Sequence, residues 1–188
     1  YGIGGLTFAF SVATEAQEVR LSWGDHTGVN ALTPWCLEIR AALTAVSDDL
    51  VGRISFGMAD TIPAAGVYAA AAGNFAAFAL NYDATVSAAN EVTCSTYDST
   101  HDDRMVGLAA GEVLIASAQT KFHVYRLEGR DPNNVKFFYD GVQIYDDHVF
   151  NPTAWTSSTF LQPFIQLYKL ADNTLGSLTV DYVHLWGW

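Results

Sequence analysis

Five histidines and four close acidic pairs are the residues of this sequence best placed to do chemistry. The pairs are Glu15/Glu18, Asp48/Asp49, Asp102/Asp103 and Asp146/Asp147, and all fall in expected turns or at strand ends, where solvated loop charge is the plain reading. His26, His101 and His148 lie in loops beside Asp25, Asp102 and Asp147, while His123 and His184 lie on strands with faces expected to point into the core. Serine hydrolysis needs a nucleophile on a strained elbow, and no Gly-x-Ser-x-Gly occurs. Calcium takes hard oxygen ligands from carboxylate-rich loops, so Asp98–Asp103 (DSTHDD) is the candidate metal loop, although its spacing matches no EF-hand. No other cofactor is expected.

A second kind of chemistry needs aromatic rings. The chain has 11 Phe, 9 Tyr and 5 Trp. Exposed Trp and Tyr rings stack on pyranose rings, with polar groups nearby to hold the hydroxyls. Trp155, in a loop, and Tyr168, Trp186 and Trp188, toward the end of the sequence, are candidate glycan platforms or interface residues. The alternative for each is packing within a core or against a neighbouring subunit. Cys36 and Cys94 are expected on strands as buried thiols, with a disulfide as the other reading.

The elements that must position these residues are strands. Residues Phe122 to Glu128 alternate with the period of two of a pleated strand. Gly129 to Asn134 (GRDPNN) reads as a turn, Val135 to Tyr139 as the return strand, and Asp140-Gly141 as a tight hairpin into Val142, Gln143 and Ile144. Phe137 and Tyr139 are expected to face the core, with Lys136 and Phe138 opposite. Further strands are expected at Leu6–Val12, Gln17–Trp23, Trp35–Ala41, Val51–Met58, Phe75–Tyr82, Val92–Tyr97, Arg104–Leu108, Val113–Ala116, Phe160–Leu170 and Leu178–Trp186. Pro163 suggests that its strand is bulged or at an edge. On the last strand Leu178, Val180, Tyr182 and His184 are expected to share one face. Ala69–Ala72 could form a helical turn, too short to stand alone in water.

Composition bounds what such a sandwich can do. A length of 188 residues suits one domain, with residues 1–34 set apart as an attachment segment plus first strands. A net charge of −11 argues against binding to a nucleic-acid backbone. The uncharged run from Thr61 to Tyr82 is rich in Ala and broken by Pro63, Gly66 and Gly73, so no membrane span is expected. Tyr1 in place of Met implies a processed or partial chain, and no retained signal peptide is visible.

The meander from Thr120 to Tyr145 resembles the concanavalin A-like lectin/glucanase jelly-roll sandwich. That resemblance implies an all-β, two-sheet antiparallel fold. The glucanase branch works through a strand-borne Glu-x-Asp-x-x-Glu or Glu-x-Asp-x-Glu motif, which alternation places on one face as nucleophile and acid. No such motif occurs here, so no enzymatic activity is expected. The order of segments also resembles sandwich domains of tailed-bacteriophage structural proteins. It is carried by Leu37–Arg40, Ile54–Asp60, Asn74–Asp83, Phe122–Glu128, Phe137–Gly141, Leu161–Ile165 and Leu178–Val183. It implies a virion protein on the particle surface, for capsid decoration or as a fibre and adhesion domain. Expected partners are other capsid or fibre subunits, a second copy of the chain and a cell-surface glycan, with no nucleic acid and no membrane. A carbohydrate-binding module or lectin is the alternative function.

Overall fold

Alternation of apolar with polar or small side chains is compatible only with extended chain, and each strand then needs neighbours to satisfy its backbone. The structure, a computed structural model, describes residues 5–11, 15, 17–24, 28–45, 53–62, 73–80, 92–105, 121–169 and 177–188. Among them the strands are β1 (Leu6–Ala9), β2 (Gln17–Ser22), β3 (Val29–Asn30), β4 (Trp35–Ala45), β5 (Arg53–Ala59), β6 (Asn74–Leu80) and β7 (Val92–Asp98), followed by β8 (Asp102–Met105), β9 (His123–Asp131), β10 (Asn134–Tyr139), β11 (Val142–Ile144), β12 (Phe160–Lys169) and β13 (Ser177–Gly187). The expected strand Val113–Ala116, the Ala69–Ala72 turn, the pair Asp48/Asp49, and His26 with Asp25 lie outside the described residues. No helix among the described residues is long and apolar enough to cross a membrane.

The strands form two antiparallel sheets. Sheet one has the order β1-β13-β4-β9-β10-β11, and sheet two the order β2-β12-β5-β6-β7-β8, with β3 also paired to β12. Both sheets bury one face in a shared core. Sheet one contributes Trp35, Leu37, Ile39, Tyr125, Leu127 and Phe137, and sheet two contributes Phe56, Met58, Phe78, Ile165 and Leu167. Aromatic rings interlock between the sheets: Phe56 meets Tyr125 at 4.8 Å, and Phe78 meets Phe137 at 5.2 Å, both edge to face. That geometry adds roughly 0.5–1.5 kcal/mol per pair to the burial itself.

The Asp-Gly hairpin forms as its chemistry dictates, with φ of 47° at Asp140 and 84° at Gly141. Asp140 also receives the Val124 amide on Oδ1 (2.8 Å) and lies 2.6 Å from His123 Nδ1 on Oδ2, which ties the hairpin to the start of β9. The turn expected over residues 129–134 is narrower than its composition suggests, because β9 continues to Asp131. Gly129 belongs to the strand, where the Trp35 indole lies across it; a Cβ there would sit 2.3 Å from that ring.

Two strands depart from the expected pattern for identifiable reasons. Pro163 is in an internal strand, not at an edge, since β12 lies between β2 and β5. On its other side β12 pairs with β3 at Phe160 and Leu161 and with β2 only from Phe164 onward. Proline, which has no N–H to donate, occupies the gap between those two partners. In β13 the register against β4 shifts between Val180 and Tyr182, so Asp181 is an extra residue. A bulge of this kind reverses which face later side chains take. Leu178 and Val180 face the core, yet Tyr182 and His184 turn outward and Val183 and Leu185 pack inward. His184 is exposed and is not the core histidine expected from uninterrupted alternation.

Candidate functional site

The outer face of sheet two is built from rows of paired residues. One row runs Arg20, Gln166, Ser55, Ala79, Thr93 across β2, β12, β5, β6 and β7. The next runs Ser22, Phe164, Gly57, Ala77, Ser95, Arg104, and a third Gln162, Ala59, Phe75, Tyr97, Asp102. Small residues dominate the middle because neighbouring backbones approach closely there. A Cβ on Gly57 would lie 2.2 Å from the Ala76 carbonyl oxygen. Ala59, Phe75, Ala77 and Phe164 form a second apolar cluster on this face, separate from the main core. In the row beside it Ser55 Oγ and Thr93 Oγ1 are buried with no hydrogen-bond partner among the described residues.

At one end of this face an open cleft of about 300 Å³ is lined by Gly28, Asp60, Ser158, Phe160 and Gln162. Phe160 and Gln162 point the same way because they are two apart on β12. Phe160 is 54% exposed, whereas Gln162 is 7% exposed and its Oε1 has no hydrogen-bond partner among the described residues. Asp60 is fixed by Asn74, whose backbone N–H donates to Oδ1 at 2.7 Å and whose side-chain amide donates to Oδ2 at 2.5 Å. That clamp leaves Asn74 Oδ1 buried and likewise without a partner among the described residues. Gly73, at φ 48°, lets the chain pass over the carboxylate; a Cβ there would sit 2.0 Å from Asp60 Oδ1. The cleft thus offers an anchored carboxylate, a buried amide, a hydroxyl and an open aromatic ring, a set that matches a polyhydroxylated ring with one apolar face.

The other candidate chemistry is largely consumed by structure. The stretch expected as the loop Asp98–Asp103 is instead the end of β7, a three-residue turn and the start of β8. Asp98 is fully buried, and its Oδ1 accepts from the Thr100 N–H (3.1 Å), the Thr100 hydroxyl (2.8 Å) and the His101 N–H (2.7 Å). Its Oδ2 accepts from the Ala154 N–H (2.9 Å) and the Thr153 hydroxyl (3.2 Å). Burial would raise its pKa, but these donors outweigh it and hold the carboxyl down to about 2. Asp102 pairs with Arg104, and Asp103 lies 2.7 Å from His148 Nε2. Every carboxylate of the proposed calcium loop is therefore already engaged, and no group of three or more His, Cys, Asp or Glu among the described residues is placed to hold a metal ion. Cys36 and Cys94 are free thiols and not a disulfide. Burial pushes Cys36 up to about 12 and Cys94 well above its ordinary value.

The four aromatic candidates separate. Trp155 is 5% exposed, and its Nε1 donates to the Tyr97 carbonyl at 3.2 Å, so its ring faces are closed to a sugar. Tyr168 is half-buried on β12, paired with Glu18. Trp186 and Trp188 lie together on the outer face of sheet one, 6.4 Å apart, with exposures of 37% and 59%. The cleft residues Asp60, Ser158, Phe160 and Gln162 were not singled out in the sequence. The one signal available was the shared parity of Phe160 and Gln162, and only the pairing of β12 with β5 gives that parity a location.

The two packed antiparallel sheets and their strand order define a concanavalin A-like jelly-roll sandwich. No family model matches the chain, and no curated protein matches it. Among solved structures it is similar to the carbohydrate recognition domain of Emp46p, with a TM-score of 0.62 and 12% identity over 93% of this chain and 79% of the other. It is also similar to a glycoside hydrolase family 16 endo-glucanase from Bacteroides ovatus (TM-score 0.58, 14% identity, 89% of this chain and 74% of the other). A third is a family 7 alginate lyase (TM-score 0.57, 8% identity, 100% and 82%). These likenesses overturn the expectation that the chain is not an enzyme. That expectation rested on the missing glucanase and serine-hydrolase motifs and on the resemblance to virion proteins, whereas the scaffold is shared with a hydrolase and with a lyase. The virion role implied by the order of segments has no support among these neighbours, which are carbohydrate-active or carbohydrate-recognising proteins.

Proposed function

We propose that the chain recognises carbohydrate through the Asp60–Gln162 cleft on the outer side of sheet two. The observation that carries this reading is Gln162 Oε1, buried and without a partner among the described residues, at the foot of a cleft whose rim is the exposed Phe160 ring. A buried acceptor left without a donor costs on the order of 1–3 kcal/mol, and a bound hydroxyl would recover it. Asp60 accepts from a second hydroxyl, and Phe160 covers the apolar face of the ring. The glucanase and lectin neighbours support the same ligand class. Titration calorimetry with neutral oligosaccharides tests it. Phe160→Ala should weaken binding about tenfold, equivalent to ~1.4 kcal/mol, with Gln162→Leu of similar effect. Assay of the same mixtures for new reducing ends or unsaturated products reads any turnover. Absence of binding across glucan, mannan and galactan oligosaccharides, or unchanged affinity in both variants, would sink the proposal.

A further inference from the structure

On the opposite side of the sandwich, the outer face of sheet one carries an aromatic file along β13. Tyr182, His184, Trp186 and Trp188 follow at every second residue, with ring centroids 5.9, 6.0 and 6.4 Å apart. Each ring is steeply inclined to the next, by 59°, 78° and 69°, so the file interlocks edge to face. The last ring is held from two further directions. The Trp188 backbone N–H donates to the Pro34 carbonyl at 3.3 Å, and the Arg130 guanidinium covers one ring face at 4.5 Å. Arg130 is in turn positioned by Glu128, 3.4 Å away. Trp188 is therefore a fixed ring with one face covered and 59% of the residue open to solvent.

Beside Arg130 a pocket of about 270 Å³ is lined by Glu128, Arg130, Asp131, Asn134 and Lys136. Lys136 has no ion-pair partner, and the Asn134 side chain no hydrogen-bond partner, among the described residues. The lining mixes two cations, two carboxylates and an amide. It can both donate to and accept from one ligand without favouring either sign of charge, which is the requirement of sugar hydroxyls. An anionic sugar is disfavoured by the net charge of −11, which repels polyanions at long range.

We propose that Trp188 and the Arg130–Lys136 pocket form a second binding site, for a neutral glycan, on the face opposite the cleft. The two sites look outward from different sheets, so one short oligosaccharide cannot occupy both. The protein is then bivalent toward a long polysaccharide and joins separate chains. This site stands on its own residues and does not depend on the cleft.

The test uses the full chain, soluble mixed-linkage β-glucan, mannan and galactan polymers, and oligosaccharides of six or seven units from each. Binding is read by gel retardation and calorimetry, and joining of chains by light scattering. The expected result is that the wild type retards at least one neutral polymer and raises its scattering. Trp188→Ala, and separately Lys136→Ala with Asn134→Ala, should abolish the scattering rise and remove one of two oligosaccharide binding events, at unchanged melting temperature. Phe160→Ala removes the other event. If Phe160→Ala behaves as wild type while Trp188→Ala loses all retardation, the second site stands and the cleft reading falls. If both Trp188 and pocket variants join polymer as the wild type does, or if the wild type binds none of the three polymers, the second site is refuted.

Discussion

The two outer faces of this sandwich solve the same problem in opposite ways. On sheet one many of the charged side chains are paired with a neighbour on the same face. Arg40 pairs with Asp181, the Tyr182 hydroxyl donates to Glu38 at 2.6 Å, Glu128 sits between Arg126 and Arg130, and Arg126 lies over the Phe138 ring at 4.2 Å. On sheet two the middle of the face is small and apolar, and several polar atoms within it are buried without partners among the described residues. The first arrangement holds strands in register and keeps side chains in fixed positions. The second leaves buried polar atoms that ask for an explanation, with Ser55 and Thr93 closed off at 1% and 0% exposure and Gln162 beside the cleft. Sheet one carries its exposed tryptophans at the end of β13, whereas sheet two carries one exposed ring, Phe160, beside the buried Gln162.

The largest expected effect tests the core that both faces share. Phe137→Ala should lower unfolding free energy by roughly 3–5 kcal/mol, whereas Lys136→Ala, one residue away on the outer face of sheet one, should cost well under ~1 kcal/mol. Denaturant melts of the two variants check it, and equal midpoints would mean that inner and outer faces are not as distinct as described.

Next is the acid limb of stability. Asp98 is ionised and held by five donors, with its pKa lowered from 3.8 to about 2. A depressed carboxyl contributes stability that is fully present above pH ~4 and is lost as pH falls toward ~2, about 2 kcal/mol in all. Asp98→Asn should therefore melt lower at pH 6 yet show a flatter loss between pH 4 and pH 2. Parallel pH dependence in variant and wild type would assign the acid limb to other groups.

The smallest effect sharpens the contrast between the faces directly. Thr93→Val removes a buried hydroxyl without a partner among the described residues and should leave stability unchanged or raise it by up to about 1 kcal/mol. Glu128→Gln on sheet one, which weakens two ion pairs, should lower it by a similar amount. A destabilised Thr93→Val, measured by thermal melting, would show that the hydroxyl is satisfied in solution and that sheet two has no deficit there.

Much of the fold was legible because its signals are local. Asp140-Gly141 announces a hairpin through two positive φ angles, and Phe137 and Tyr139 announce their face through parity. Pro163 misled because a missing N–H speaks of an absent partner at one residue, and only the junction of β3 and β2 along β12 shows why that partner is absent. The cleft was not legible at all. Gly28, Asp60, Ser158 and Gln162 are far apart in the chain, ordinary in type, and meet through strand pairing. The surface position of His184 was hidden by one extra residue, Asp181.

That bulge can be described as a phase slip. Along β13 the inward-facing positions before Asp181 are even-numbered and those after it odd-numbered, so the strand is two half-waves joined half a period out of step. Tyr182, His184 and Trp186 are on the surface because of that slip. Loss of a single codon at position 181 would join the two half-waves into one continuous alternation with every face kept, Leu178, Val180, Val183 and Leu185 inward and Tyr182, His184 and Trp186 outward. The bulge is therefore the device that accommodates one surplus residue while the aliphatic positions on either side of it keep the same face.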